Sequence, residues 1–395
     1  MESHDLYDYK GRLEHVIKII GKAKTSQNNK QILLKYKDDY IANGLSIARA
    51  VRVSYDLLRL ARLLDKDFDK ADAEDMRKVM VKLEDEGISE RTKYDFKVSV
   101  KRFYRWLRKS KTYPDEVEWI KPRFNERNRK LPKELLTEDD IKKLIQAADN
   151  PRDKAFVFTL YESGCRIGEL LTLKIKNIDF DEYGAILLVN GKTGERRIRV
   201  ISAANLITEW LNKHPLKKDP EALLWVSKDY KRNDLSYRRI RDVLDNLKKR
   251  AKISKKVNPH NFRHSRATFL ANHLTEAQMK EFFGWVQSSE MASVYVHLSG
   301  RDVDDALLKT YGLENKKKEQ SSELKPIKCI RCEQVNPPTN DFCQKCGIAL
   351  NREAEIGVVK KDIKRQETDE ILNRIFKNKE NKEKFLDLIR ECIEK

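Results

Sequence analysis

Apolar residues recur at three- and four-residue spacing from about Asn28 to Leu107. One stripe runs through Ile32, Leu33, Tyr36, Tyr40 and Ile41, and a second through Ala50, Val53, Leu57, Leu60, Ala61 and Leu64. Val79, Met80 and Leu83 form a third, and Tyr94, Val98, Phe103, Trp106 and Leu107 a fourth. That period lines one face of a helix with apolar side chains. Breaks fall at Asn43-Gly44, Asp65-Lys66-Asp67 and Gly87, so residues 25–112 are expected to form a bundle of about four helices. Residues 1–24 are polar and mixed in charge, with Gly11 and Gly21, and are expected to form a loosely held N-terminal arm.

The pattern changes after the bundle. Residues 113–133 hold three prolines, many charges and little period, as in an interdomain linker. Thr137-Glu138-Asp139-Asp140 then precedes Ile141, Leu144 and Ile145; a capping Thr with an acid three residues on predicts a helix start. Two β-like runs, Ala185–Val189 and Arg197–Ile201, flank Asn190-Gly191-Lys192-Thr193-Gly194, whose glycines suit a hairpin turn. Helical spacing resumes from about Ala204 to Leu313. Residues 315–327 read as a charged linker, 328–350 as a cysteine-bearing module and 351–395 as an amphipathic helical tail. The fold class is therefore mainly α, with a small antiparallel β-sheet in the segment 134–314.

Composition narrows the partners. The 395 residues include 82 Lys and Arg against 63 Asp and Glu, a formal charge of +19. Spread along the chain, that excess points to a polyanion, with nucleic acid first and an anionic membrane surface second. A charged thermophile-like surface is the plain alternative. The sequence lacks an apolar run of about 18 residues and a signal-peptide pattern, so a soluble cytoplasmic chain is expected. Four of the six cysteines fall within 18 consecutive positions, which in such a chain argues for metal and not disulfides.

Three segments carry candidate chemistry. In Gly164-Cys165-Arg166-Ile167-Gly168-Glu169 a glycine ends one helix, and Arg166 sits where its fork and the next helix's amides can meet one anion. Glu169 is placed to buttress it. His260-Asn261-Phe262-Arg263-His264-Ser265 follows Pro259, a good helix opener, and puts His260 and Arg263 on one face. Phe283-Gly284-Trp285 precedes a polar loop and Tyr295. Taken singly, each segment suits a surface ion pair, a helix cap or an ordinary aromatic as well.

Their order, with Lys192 in the hairpin, resembles the tyrosine recombinase (phage integrase, Xer-type) family over roughly Thr137 to Tyr311. The resemblance implies a SAM-like core-binding domain at 25–112 and a catalytic domain at 134–314. It implies that Arg166 and Arg263 grip a scissile phosphate, that Lys192 protonates the leaving oxygen, that His260 is a base or proton shuttle, and that Tyr295 is the nucleophile. Trp285 stands where many members carry a second histidine, and Tyr311 lies well outside the pattern. Glu169 and His264 are supporting residues. The implied activity is site-specific DNA recombination through a 3′-phosphotyrosine, with neither metal nor ATP in the chemistry. A type IB topoisomerase-like enzyme and an inactive DNA-binding accessory protein are the alternatives. The implied partner is double-stranded DNA, on which the chain self-associates as dimer to tetramer, and no membrane is involved.

Cys329-x-x-Cys332 and Cys343-x-x-Cys346, followed by Gly347, form a strong metal signature. Paired knuckles of this kind place four thiolates around a structural zinc, in a closed site with no open position for catalysis. The tail, with Ile371, Ile375, Phe376 and Phe385 among charges, is expected to dock on a neighbour or on its own catalytic domain.

Overall fold

The computed structural model describes residues 6–123, 134–191, 194–227, 235–298, 310–311, 324–377, 382–385, 387 and 390. The chain divides into two compact units, Met1–Leu131 and Pro132–Lys395.

The first unit is helical. It contains α1 (Tyr9–Lys22), α2 (Gln27–Ala42), α3 (Ile47–Leu64), α4 (Ala73–Asp85), α5 (Glu90–Leu107) and the single turn α6 (Asp115–Glu118). Side-chain oxygens of Ser26, Asp72 and Ser89 accept the first free amides of α2, α4 and α5, satisfying donors that have no partner within the helix. The four predicted stripes turn inward around Phe68, Phe96, Phe103 and Tyr104, all fully buried. Two expectations are corrected. The N-terminal arm is not loosely held, because Val16 and Ile20 of α1 are fully buried and α1 packs on α3; Leu13, Val16, Ile17 and Ile20 give this helix an apolar stripe at three- and four-residue spacing. The linker reading also begins too early, because Val117 and Ile120 are buried in the bundle's core.

The second unit is built around α8 (Pro151–Ser163), a helix buried on nearly every side and capped by Asn150. Against it pack α7 (Glu138–Gln146), α10 (Ala204–Asn212) and α12 (Pro259–Ala271). The expected capping box forms at α7, with Thr137 and Asp140 bonding each other's backbone N–H. The short helix α9 (Ile167–Leu171) leads into a three-stranded antiparallel sheet, β1 (Ile178–Asp181), β2 (Gly184–Gly191) and β3 (Gly194–Val200). In β2, Ala185, Leu187 and Val189 alternate inward, and Gly191 pairs with Gly194 across the hairpin. Strand β1 was not foreseen, since its outer residues are polar or exposed and only Ile178 is buried.

Helix does not run unbroken beyond Ala204. Residues 213–227 are irregular yet hold the fully buried Trp225, edge-on to Phe156. Then follow α11 (Tyr237–Arg250), α12, α13 (Glu276–Phe283) and α14 (Met291–Leu298). Strands β4 (Ile327–Lys328) and β5 (Val335–Asn336) pair antiparallel and begin the cysteine module. The C-terminal helix, Arg352–Lys377, has no buried residue; Ile371 and Phe376 are exposed, so its described length is not docked on the catalytic domain.

Candidate active site

Gly164 ends α8 in the left-handed conformation, with φ +55°, and this turn delivers Arg166 to the N-cap of α9. A side chain at Gly164 would have its Cβ 2.5 Å from Cε1 of Phe283. Position and backbone therefore both require glycine. One turn into α9, the buried Glu169 carboxylate accepts the Arg166 backbone N–H at 2.9 Å and the Arg166 guanidinium at 2.9 Å. From β3, Arg196 reaches the same carboxylate with both Nη atoms, at 2.9 and 2.6 Å.

Three arginines then meet one helix end. Arg196 Nε donates to the Phe282 carbonyl at 3.2 Å, Arg263 Nη2 to that of Phe283 at 2.6 Å, and Arg166 Nη2 to that of Gly284 at 3.1 Å. These are the last carbonyls of α13, which have no partner inside the helix and lie at the negative end of its dipole. Arg263 also donates to the Gly164 carbonyl at 2.8 Å, and its guanidinium lies over the rings of Phe283 and Trp285.

Electrostatics follow from burial and charge. Burial pushes the Glu169 pKa upward, but the bonds and charge of Arg196 and the Arg166 contacts outweigh it and hold the carboxyl at about 2. Burial, and then the Arg166 charge, lowers the Arg263 pKa to about 10, which leaves it protonated at neutral pH. Arg166 keeps more than a third of its side chain exposed. The two cations thus stand side by side, one of them open to solvent.

Next to this cluster lie the aromatic residues. His260 and His264, one turn apart on α12, stack with centroids 5.7 Å apart. Partial burial, then the charges of Arg263 and Arg166, keeps His260 below the usual histidine range. His264 is lowered to about 4 by burial, His260 and Arg263. Tyr295 of α14 is 1% exposed. Its ring lies parallel to Trp285, with centroids 5.7 Å apart, and Trp285 stacks in turn on Phe283. The Tyr295 hydroxyl hydrogen-bonds Nδ1 of His264.

Arg166, His260, Arg263, Trp285 and Tyr295 are therefore brought together from four separate segments. Lys192 lies outside the described residues, as do residues 304–309 and 312–313 and the tail residues Leu386, Leu388, Ile389 and Ile393. Tyr311 is exposed at 78% and has no place in the cluster. Two residues were missed or undervalued. Arg196 stands between the hairpin turn and the run Arg197–Ile201, where the sequence carries no signal for it, and His264, a supporting residue by resemblance, touches the Tyr295 hydroxyl. The Cys165 thiol is fully buried and raised to about 11 by that burial, so it is an inert neighbour.

The cysteine module forms a separate cluster. The Sγ atoms of Cys329, Cys332, Cys343 and Cys346 all lie within 4.8 Å of one another. Two of the contacts, Cys329 to Cys346 and Cys332 to Cys343, are 3.5 Å. A tetrahedral site with bonds of about 2.3 Å needs sulfurs about 3.8 Å apart, so the four thiols fit one ion. Gly347 supplies the left-handed turn after the second knuckle, with φ +73°. The module rests on the second unit's helical body, where Asn205 Nδ2 donates to the Val335 carbonyl at 2.6 Å; just ahead of it in the chain, the Leu324 carbonyl accepts from Ser202 Oγ at 2.7 Å.

Residues 134–301 match the model of the phage integrase family. The chain is 30% identical over 247 residues to the tyrosine recombinase XerA of Pyrococcus horikoshii, covering 61% of this chain and 81% of that one. It is 28% identical to the tyrosine recombinase XerC of Pelotomaculum thermopropionicum, covering 60% and 79%. Among solved structures, it shares its fold with the XerH site-specific recombinase bound to a palindromic difH substrate (TM-score 0.54, 18% identity, 79% of this chain and 98% of that one). A lambda integrase dimer bound to a COC′ core site gives the same TM-score and identity over 69% and 78%.

Proposed function

The chain belongs to the phage integrase family of tyrosine recombinases, and from that premise we propose that it cuts and rejoins double-stranded DNA at specific sites by transesterification. The observation that carries this reading is the convergence of Arg166 and Arg263 on the adjacent carbonyls of Gly284 and Phe283, immediately before Trp285 and beside Tyr295.

A phosphodiester bears one negative charge, and attack at phosphorus spreads more charge over the equatorial oxygens. Two guanidinium groups held by Glu169 and by backbone carbonyls meet that charge without reorganising. Tyr295 Oη attacks phosphorus and the sugar 5′ oxygen leaves, producing a 3′-phosphotyrosine and a free 5′-hydroxyl. The phosphodiester energy is retained in that link, so a second 5′-hydroxyl reverses the step without ATP. Lys192 is the assigned acid for the leaving oxygen. His260, exposed at the rim next to the two arginines, contacts a phosphate oxygen. Trp285 cannot transfer a proton and serves as a flat brace for the Tyr295 ring.

Strand exchange needs two sites, so two or more copies assemble on DNA, and the basic excess of the chain supplies backbone contacts that weaken as salt rises. Among the described residues no helix is long and apolar enough to cross a membrane; acting on DNA places the chain in the cytoplasm. Cys329, Cys332, Cys343 and Cys346 hold a structural zinc, which supplies folding energy to a segment too short for a core of its own.

The test is a nicked suicide duplex carrying the target site, incubated with the full chain and then denatured. A covalent protein–DNA adduct is expected, and Tyr295→Phe abolishes it while DNA binding persists. An adduct that survives Tyr295→Phe overturns the assignment.

A further inference from the structure

The geometry points to His264, and not the exposed His260, as the group that takes the phenolic proton when Tyr295 attacks. This inference rests on the transesterification reading and adds a catalytic residue to it. His264 Nδ1 is hydrogen-bonded to the Tyr295 hydroxyl, whereas His260 is one helical turn away and stacks on the His264 ring.

Three features make this contact more than packing. The Tyr295 ring is fixed by a parallel stack on Trp285, so its hydroxyl is aimed and not free to rotate among partners. The pair is buried, with Tyr295 at 1% exposure, so bulk water is a poor competitor for the proton. His264 also carries no charge near neutrality, since burial and the neighbouring His260 and Arg263 lower it to about 4. A neutral imidazole with its proton on Nε2 presents Nδ1 as an acceptor. As the phosphate enters beside Arg263, its negative charge offsets that cation's share of the lowering, the remainder coming from burial and His260, and so moves the imidazole toward greater basicity.

In cleavage the Oη–P bond forms as the P–O5′ bond breaks. The phenolic proton passes to His264 Nδ1, and the departing 5′ oxygen takes a proton from the acid assigned to Lys192. On rejoining, the 5′-hydroxyl returns its proton to the group assigned as Lys192 as its oxygen attacks phosphorus, the Oη–P bond breaks, and the imidazolium gives its proton back to the tyrosine oxygen.

The test uses the full chain on the suicide duplex. His264→Asn offers an oxygen that can accept the hydroxyl's hydrogen bond but cannot carry the proton away. Cleavage is expected to slow by on the order of 100-fold with unchanged DNA binding. Placing a fluorinated, more acidic tyrosine at position 295 then restores about tenfold of the rate in the variant and little or nothing in the parent. Where the Asn variant fails to bind DNA, His264→Gln is measured in its place. Parental cleavage rates in the variant, or no gain from the acidic tyrosine, overturn the inference. Tyr295→Phe keeps the two claims apart: if it abolishes the adduct while His264→Asn cleaves normally, only the role of His264 falls.

Discussion

Arg166 and Arg263 donate to neighbouring carbonyls, those of Gly284 and Phe283, at 3.1 and 2.6 Å. Two like charges this close repel, and the end of α13 is what makes the pairing tolerable. Its terminal carbonyls concentrate negative partial charge, Glu169 adds a full one, and the faces of Phe283 and Trp285 lie under the Arg263 guanidinium. The resulting cluster holds a positive field at one place before any phosphate arrives.

Arg196 is the hidden support of that cluster. It grips Glu169 with two bonds and is itself 10% exposed. Arg196→Met removes one side of a buried ion pair and is expected to cost about 3–5 kcal/mol of stability. Arg196→Lys keeps the charge but loses the fork, so stability recovers further than cleavage does. Denaturant unfolding and adduct formation, measured on both variants, check this; an Arg196→Met protein as stable as the parent would contradict it.

The Glu169 carboxyl sets an acid limit. Its pKa in the fold, about 2, is below the usual carboxylate value. Its contribution to stability is therefore complete above about pH 4.5 and is lost as pH falls toward 2. The full contribution is about 3 kcal/mol. Unfolding free energy measured between pH 6 and 2.5 is expected to fall less steeply in Glu169→Gln than in the parent. Parallel curves would remove Glu169 as the cause.

Gly164→Ala tests the turn that presents Arg166. The positive φ opposes any L side chain, and the added Cβ would press on Phe283. Overpacking alone is expected to cost about 1–3 kcal/mol. Because the Gly164 carbonyl also holds Arg263, cleavage falls more than DNA binding. A variant with an unchanged unfolding midpoint would show that this turn tolerates a side chain.

Zinc content is directly measurable. The purified chain is expected to carry one zinc ion, and Cys332→Ser or a strong chelator removes it. Because Asn205 bonds the module at the Val335 carbonyl, amide exchange is expected to accelerate in the module and also around Asn205. Metal-free purified protein with normal stability would refute the assignment.

Local rules account for what was legible in the residues alone. Apolar spacing marked α2, α3, α4 and α5 of the bundle, the Thr137–Asp140 box marked a helix start, paired glycines marked the β2–β3 turn, and paired cysteines marked the four-thiol cluster. Each of these depends on neighbours within a few positions, where backbone geometry dictates the pattern. The ordered motif likewise pointed to Arg166, His260, Arg263, Trp285 and Tyr295. Tertiary structure alone decided which side chains touch. Strand alternation says that Arg196 and Ile198 occupy opposite faces from their neighbours, but not that the Arg196 fork closes on Glu169. Helical spacing puts His260 and His264 one turn apart, but only the packing of α14 against α12 selects His264 for the Tyr295 hydroxyl. Contacts between groups tens of residues apart depend on how whole elements pack, and no short window of sequence contains that information.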